Sequence, residues 1–290
     1  MRSTGTVVSY GLRSNVSISQ LNSRSDYTYD RPELLAGMAD QPSTLLGVLS
    51  RNESGQSGIV RTMLAVAGIV VSALVVNLGA TLVAASAVGS DVSEMVPFAA
   101  VVTASELAFL LVGIGYLRFR TSFHLPIRTP TKQVVPYLAG GLIAGFVVFV
   151  LQFAITDAVV PAVELSPGFT EYSNIGRVTG SGLIVGAFLS LALIGPVEEF
   201  LFRGVIQERL LESLSPISAV GIASVVFAFF HFYPVALLSP PSVVLIHMAG
   251  YYTAMGAIFG WVYYRTDTLV APALVHGLFN AVLFVSPLLT

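Results

Sequence analysis

The chain has 290 residues, of which 54% are hydrophobic and only 10% charged, and its net charge is −2. A soluble domain carries about 25% charged residues, and a protein that tracks nucleic-acid phosphates carries basic runs that are absent here. Composition thus excludes a soluble enzyme, a disordered chain and a nucleic-acid binder, and the lack of cysteine excludes disulfides and thiolate chemistry.

Eleven charged residues fall in the first 61 positions, leaving 19 for the remaining 229. Residues 1–58 are rich in Ser, Asn, Arg and Asp and read as a flexible polar tail, with room for one short surface helix. Residues 59–290 then read as a transmembrane domain. The apolar stretches are Ile59–Val88, Val96–Leu117, Val134–Ala158, Gly180–Val197, Ile217–Phe232, Val243–Tyr264 and Leu269–Leu288. Most approach the ~20 residues that cross ~30 Å of hydrocarbon as a helix. The expected fold is an all-α polytopic bundle of about seven spans, within a range of six to eight.

Loop charge orients the spans. Arg61, Arg118, Arg120, Arg128, Lys132, Arg203, Arg209 and Arg265 fall on one side if the spans alternate. The other side holds Asp91, Glu94, Asp157, Glu164, Glu171 and Arg177. The positive-inside rule then puts the N-terminus in the cytoplasm of a multi-pass cell-membrane protein. The small-xxx-small pairs Gly141/Gly145, Gly182/Gly186 and Gly256/Gly260 read as close helix contacts.

Ionisable residues at membrane depth are expensive, so they mark candidate sites. Glu198 and Glu199 lie at the end of the fourth stretch and point ~100° apart on a helix, so they cannot do the same work. Glu199 and Arg203 stand at i, i+4 and can form an ion pair. His231 closes the fifth stretch. The polar turn Glu212–Pro216 centres near position 214, sixteen to seventeen residues from both Glu198 and His231. At ~1.5 Å per residue an antiparallel hairpin brings both to one depth, as a candidate general-base pair. His276 and Asn280, also i, i+4, share a face of the last helix and can donate to a developing oxyanion. Glycine at position 277 leaves room for a close neighbour or a substrate. Glu106, central in the second stretch, needs a partner and is a functional or structural-network candidate. Asn77, Gln152 and His247 read as interhelical hydrogen bonders, and His124 as a loop residue.

Glu198-Glu199-x-x-x-Arg203, Phe227-x-x-x-His231 and His276-x-x-x-Asn280, in that order on successive helices, resemble the type II CAAX prenyl endopeptidase family. This is also called the CPBP family of CAAX proteases and bacteriocin-processing enzymes. The stretch Gly260–Ala273 resembles the lead into that family's last motif, and the likeness covers about residues 180–285. The resemblance implies an intramembrane endopeptidase. It implies that Glu198 and His231 activate a water, that His276 and Asn280 stabilise the tetrahedral intermediate, and that Glu199 and Arg203 support the site. The implied partners are the lipid bilayer and a membrane-associated or lipidated protein or peptide substrate. No cofactor is expected. A zinc-dependent version is the mechanistic alternative, since Glu198, Glu199, His231 and His276 are possible ligands but no H-E-x-x-H is present. The functional alternative is a non-proteolytic immunity protein that binds a peptide.

Overall fold

A computed structural model describes residues 45–120, 125–159 and 178–289. The chain divides into Met1–Arg51 and Asn52–Thr290, and the second unit carries the features that follow. Among the described residues, seven helices are long and apolar enough to cross a membrane, and no strand is present. They are α1 (Leu45–Val88), α2 (Met95–Arg118), α3 (Val135–Val159), α4 (Ser181–Leu211), α5 (Pro216–Ala236), α6 (Ser242–Thr266) and α7 (Val270–Val285). Short 3₁₀ turns, Lys132–Val134 and Ser286–Leu288, open α3 and close α7.

Two boundaries differ from the sequence expectation. Helix α1 begins at Leu45, inside the segment read as tail. Residues 1–44 of that tail lie outside the described residues, as do positions 160–177 with Glu164, Glu171 and Arg177, and the loop holding His124. The second difference bears on the site. The fourth apolar stretch was expected to end at Val197, with the charges after it. Instead α4 continues to Leu211, so Glu198, Glu199 and Arg203 lie within the span. The reason is local neutralisation: Glu199 and Arg203 form an ion pair at 3.0 Å and need no water. Helix propagation does not stop at charges that satisfy one another.

The outer surface explains the composition. Leu64, Val83, Phe188, Ile246 and Val282 are each more than 60% exposed, at 68%, 68%, 66%, 71% and 65%. Such a surface is stable facing hydrocarbon and aggregates in water. Loops confirm the alternation of spans. Thr62 Oγ1 meets Ser213 Oγ at 2.9 Å. Arg120 pairs with Glu212 at 2.6 Å, and Arg128 with Asp267 at 3.2 Å. Arg209 also pairs with Glu212, and Arg265 Nη2 donates to the Tyr137 hydroxyl at 3.1 Å. These contacts gather the Thr62 level of α1, the end of α2, the approach to α3 and the α4–α5 and α6–α7 turns at one end of the bundle. The described basic loop residues thus share that end.

Between lipid-solvated helices, association rests on packing and hydrogen bonds rather than on expulsion of water. The closest crossing joins α4 to α7. A Cβ on Gly195 would lie 2.7 Å from the Ala273 carbonyl oxygen, and one on Gly277 would lie 2.8 Å from that of Ser190. The room left by Gly277 is filled by a neighbouring backbone. Gly277→Ala should therefore destabilise by ~1–3 kcal/mol, the range for overpacking against atoms that cannot move aside. Gly68→Ala, with nothing within 4 Å, should be close to neutral. Denaturation midpoints of the two variants in detergent micelles check both.

Candidate active site

Helix α4 is not uniform. Two segments wind with the wider π spacing, Ser190–Ile194 and Phe200–Gln207, and between them lies one ordinary turn, Gly195–Glu199. Pro196 supplies a cause for the first. It has no N–H for the carbonyl of Ala192, and its ring would crowd that carbonyl in a regular helix. Widened turns inside α-helices recur at functional sites, and the ordinary turn between these two carries both glutamates.

The two carboxylates face different partners. Glu199 Oε1 accepts from Arg203 Nη1 at 3.0 Å and contacts His276 Nδ1 at 2.9 Å. Arg203 Nη2 donates onward to the Gly256 carbonyl at 2.9 Å. Glu198 instead points its Oε2 between two imidazoles, 3.7 Å from His231 Nε2 and 4.0 Å from His276 Nε2. That oxygen has no hydrogen-bond partner among the described residues. His231 Nδ1 lies 2.9 Å from the Phe227 carbonyl oxygen. A carbonyl only accepts, so Nδ1 carries the proton and, in a neutral ring, Nε2 presents its lone pair toward Glu198.

Exposure separates the roles further. The side chains of Glu199, Arg203 and His276 are 0%, 1% and 2% exposed, while those of Glu198 and His231 are 9% and 21% exposed. The latter pair is the less buried, with His231 the more open of the two. Glu199 and Arg203 are the more deeply sealed pair. Aromatic rings make the seal. The Arg203 guanidinium lies 4.7 Å from the Phe227 ring centroid, 5.5 Å from Phe259 and 6.0 Å from Phe202. Such cation–π contacts strengthen once desolvated. The Phe of Phe227-x-x-x-His231 thus has three functions: its carbonyl fixes Nδ1, its ring lies 4.3 Å from the His231 ring, and it covers Arg203.

Asn280 sits one turn beyond His276 on α7, half-buried. It makes no hydrogen bond to any described residue, so its amide is not committed elsewhere. The structure brings Glu198, Glu199, Arg203, His231 and His276 into one contact group and leaves Asn280 beside it. Glu106 is buried on α2, its Oε2 has no hydrogen-bond partner among the described residues, and it lies within electrostatic reach of Glu198. Asn77 joins three helices: its Nδ2 donates to Ser105 Oγ at 2.6 Å, and its Oδ1 accepts from the Tyr233 hydroxyl at 2.8 Å.

Sequence reading missed Gln207. It is fully buried, and its Nε2 donates to the Gly260 carbonyl at 3.0 Å, one turn along from the Arg203–Gly256 bond. A Cβ on Gly260 would lie 2.7 Å from Gln207 Oε1. Gly260 therefore admits a polar side chain as well as a helix. The signal was present in the stripe Glu199, Arg203, Gln207, three polar residues at steps of four in an apolar span. Among the described residues no three His, Asp or Glu side chains converge in a metal-holding arrangement.

Residues 180–282 match the family model described as Type II CAAX prenyl endopeptidase Rce1-like. No curated protein and no solved structure matches the chain. The matched segment contains all six candidate residues and ends within α7, leaving α1–α3 outside it.

Proposed function

We propose that this chain, whose residues 180–282 match the type II CAAX prenyl endopeptidase Rce1-like family model, hydrolyses a peptide bond of a membrane-associated or lipidated protein, with Glu198 as the base that activates water. The observation that carries this reading is the 3.7 Å approach of His231 Nε2 to Glu198 Oε2 on the less buried side of the cluster.

The chemistry follows from the hydrogen-bonding inventory. Glu198 and the Nε2 of a neutral His231 are both acceptors, so a water between them can donate to each and present its oxygen lone pair to a carbonyl carbon. As the water oxygen bonds to carbon, its proton moves to Glu198 and charge builds on the carbonyl oxygen. Asn280 Nδ2 and, in the imidazolium form, His276 Nε2 are the donors for that charge. Glu199 holds His276 Nδ1 throughout, and Arg203 compensates Glu199. When the C–N bond breaks, Glu198 returns its proton to the departing amine.

This route uses no metal. Glu198, His231 and His276 are also the groups a zinc-dependent route would use, and the two are separable. Purified protein should keep its turnover after exhaustive treatment with a strong zinc chelator and should hold far less than one zinc per chain. Activity lost to the chelator and restored by zinc would establish the metal route.

Glu198 lies within the span of α4, so the substrate presents its scissile bond at membrane depth. Comparing membrane-protein termini in a strain lacking this protein tests the function. Restoring the wild type should return a set of cleaved termini, and restoring His231→Ala should not. Equal restoration by both would mean that the protein binds peptides without cutting them.

A further inference from the structure

The two histidines are each gripped on a ring face by a residue of α6, a helix that contributes none of the six candidate residues. The Tyr252 ring lies 4.2 Å from that of His231, tilted by 31°, and the Phe259 ring lies 4.5 Å from that of His276, stacked at 14°. Tyr252 and Phe259 are seven residues apart, two turns of helix, so they share one face of α6. The same face gives the Gly256 and Gly260 carbonyls that bind Arg203 and Gln207.

The two grips differ in what backs them up. His276 is buried on every side and has Glu199 on Nδ1. His231 is the most exposed member of the group, and its one hydrogen bond is to a carbonyl on its own helix, four residues back. That bond fixes which nitrogen is protonated but allows the ring to swing. Phe227 covers one contact at 4.3 Å, and Tyr252 supplies the contact from another helix. Tyr252 also lies within electrostatic reach of Glu198.

We propose that Tyr252 is a positioning residue of the catalytic centre: its ring clamps His231 against Phe227 and so fixes the distance from Nε2 to Glu198. The proposal rests on the water-activating role of Glu198 and His231, and it makes the ring rather than the hydroxyl the working part.

Three proteins separate these points: wild type, Tyr252→Phe and Tyr252→Leu, each purified in the same detergent. The first readout needs no substrate. Carbethoxylation by diethyl pyrocarbonate is followed residue by residue by mass spectrometry. His231 should react several-fold faster in Tyr252→Leu than in wild type, and at the wild-type rate in Tyr252→Phe. His276, buried apart from this contact, should react slowly in all three. The second readout is turnover of a membrane-embedded peptide. Tyr252→Leu should lose at least about tenfold in kcat with KM within about threefold, and Tyr252→Phe should keep most of the wild-type kcat. Unchanged His231 reactivity in Tyr252→Leu overturns the clamp. Equal loss of kcat in Phe and Leu variants overturns it too, by assigning the effect to the hydroxyl. A clamp seen in the labelling together with wild-type turnover in Tyr252→Leu would overturn the positioning role and count against His231 as a member of the working pair.

Discussion

Glu198→Gln is expected to lower turnover by ~10²–10⁴-fold, the range that a positioned general base contributes. The substitution keeps the shape of the side chain and removes only its ability to take a proton. Glu198 Oε2 has no hydrogen-bond partner among the described residues, so no structural bond to that atom is lost. The variant should therefore fold with an unchanged denaturation midpoint and bind substrate with a similar KM. Glu199→Gln gives the informative contrast. Its carboxylate is fully buried and holds Arg203 and His276, so its loss should act on stability as well as on rate. Two adjacent glutamates with the same composition and different phenotypes would be explained by which way each points. Measuring kcat, KM and the denaturation midpoint on both variants separates them.

The second large effect concerns stability. Arg203→Met should destabilise the protein by ~3–5 kcal/mol, because it leaves the Glu199 carboxylate buried without its cation. The 3.0 Å ion pair is 1% exposed on one side and 0% on the other, so water cannot replace the guanidinium. Three aromatic rings and the Gly256 carbonyl lose their partner at the same time. The double variant Glu199→Gln/Arg203→Met should be more stable than Arg203→Met alone, since it removes the orphaned charge. It should nevertheless stay inactive, because His276 Nδ1 no longer meets a carboxylate. Reversible denaturation in detergent micelles gives the coupling energy from the four proteins of this cycle.

Much of the fold was legible because a bilayer allows few solutions. Runs near 20 apolar residues must be helices that satisfy their own backbone, and the seven expected stretches correspond to α1 through α7. The fourth boundary was misplaced for a physical reason. Apolar run length measures where charge begins, whereas a span ends where charge must be hydrated, and Glu199 with Arg203 needs no hydration. The site's level on α4 and α5 followed from counting residues across a tight turn, since helical rise is constant. The division of labour between Glu198 and Glu199 was half legible. The i, i+4 spacing assigned Arg203 to Glu199, but nothing in the spacing showed that His276 also belongs to Glu199.

What stayed hidden was the scaffold. Tyr252 and Phe259 are aromatic residues in an apolar helix, where such residues are common and carry no signal of their own. Gln207 showed a pattern but no partner, because a backbone carbonyl on another helix leaves no mark in sequence. The wide turns of α4 have one trace, Pro196, and the second of them has none.

The central claim, that Glu198 turns water into the nucleophile at a peptide bond, has a direct measurement. Wild type and Glu198→Gln, each reconstituted in liposomes, are given membrane-anchored peptides with and without a lipidated cysteine in water enriched in ¹⁸O. The fragments are then weighed by mass spectrometry. Wild type should release a fragment whose new C-terminal carboxylate has gained one ¹⁸O, and Glu198→Gln should release almost none. Cleavage at equal rates by both proteins would contradict the role given to Glu198, and intact peptides with folded wild type would contradict the protease itself.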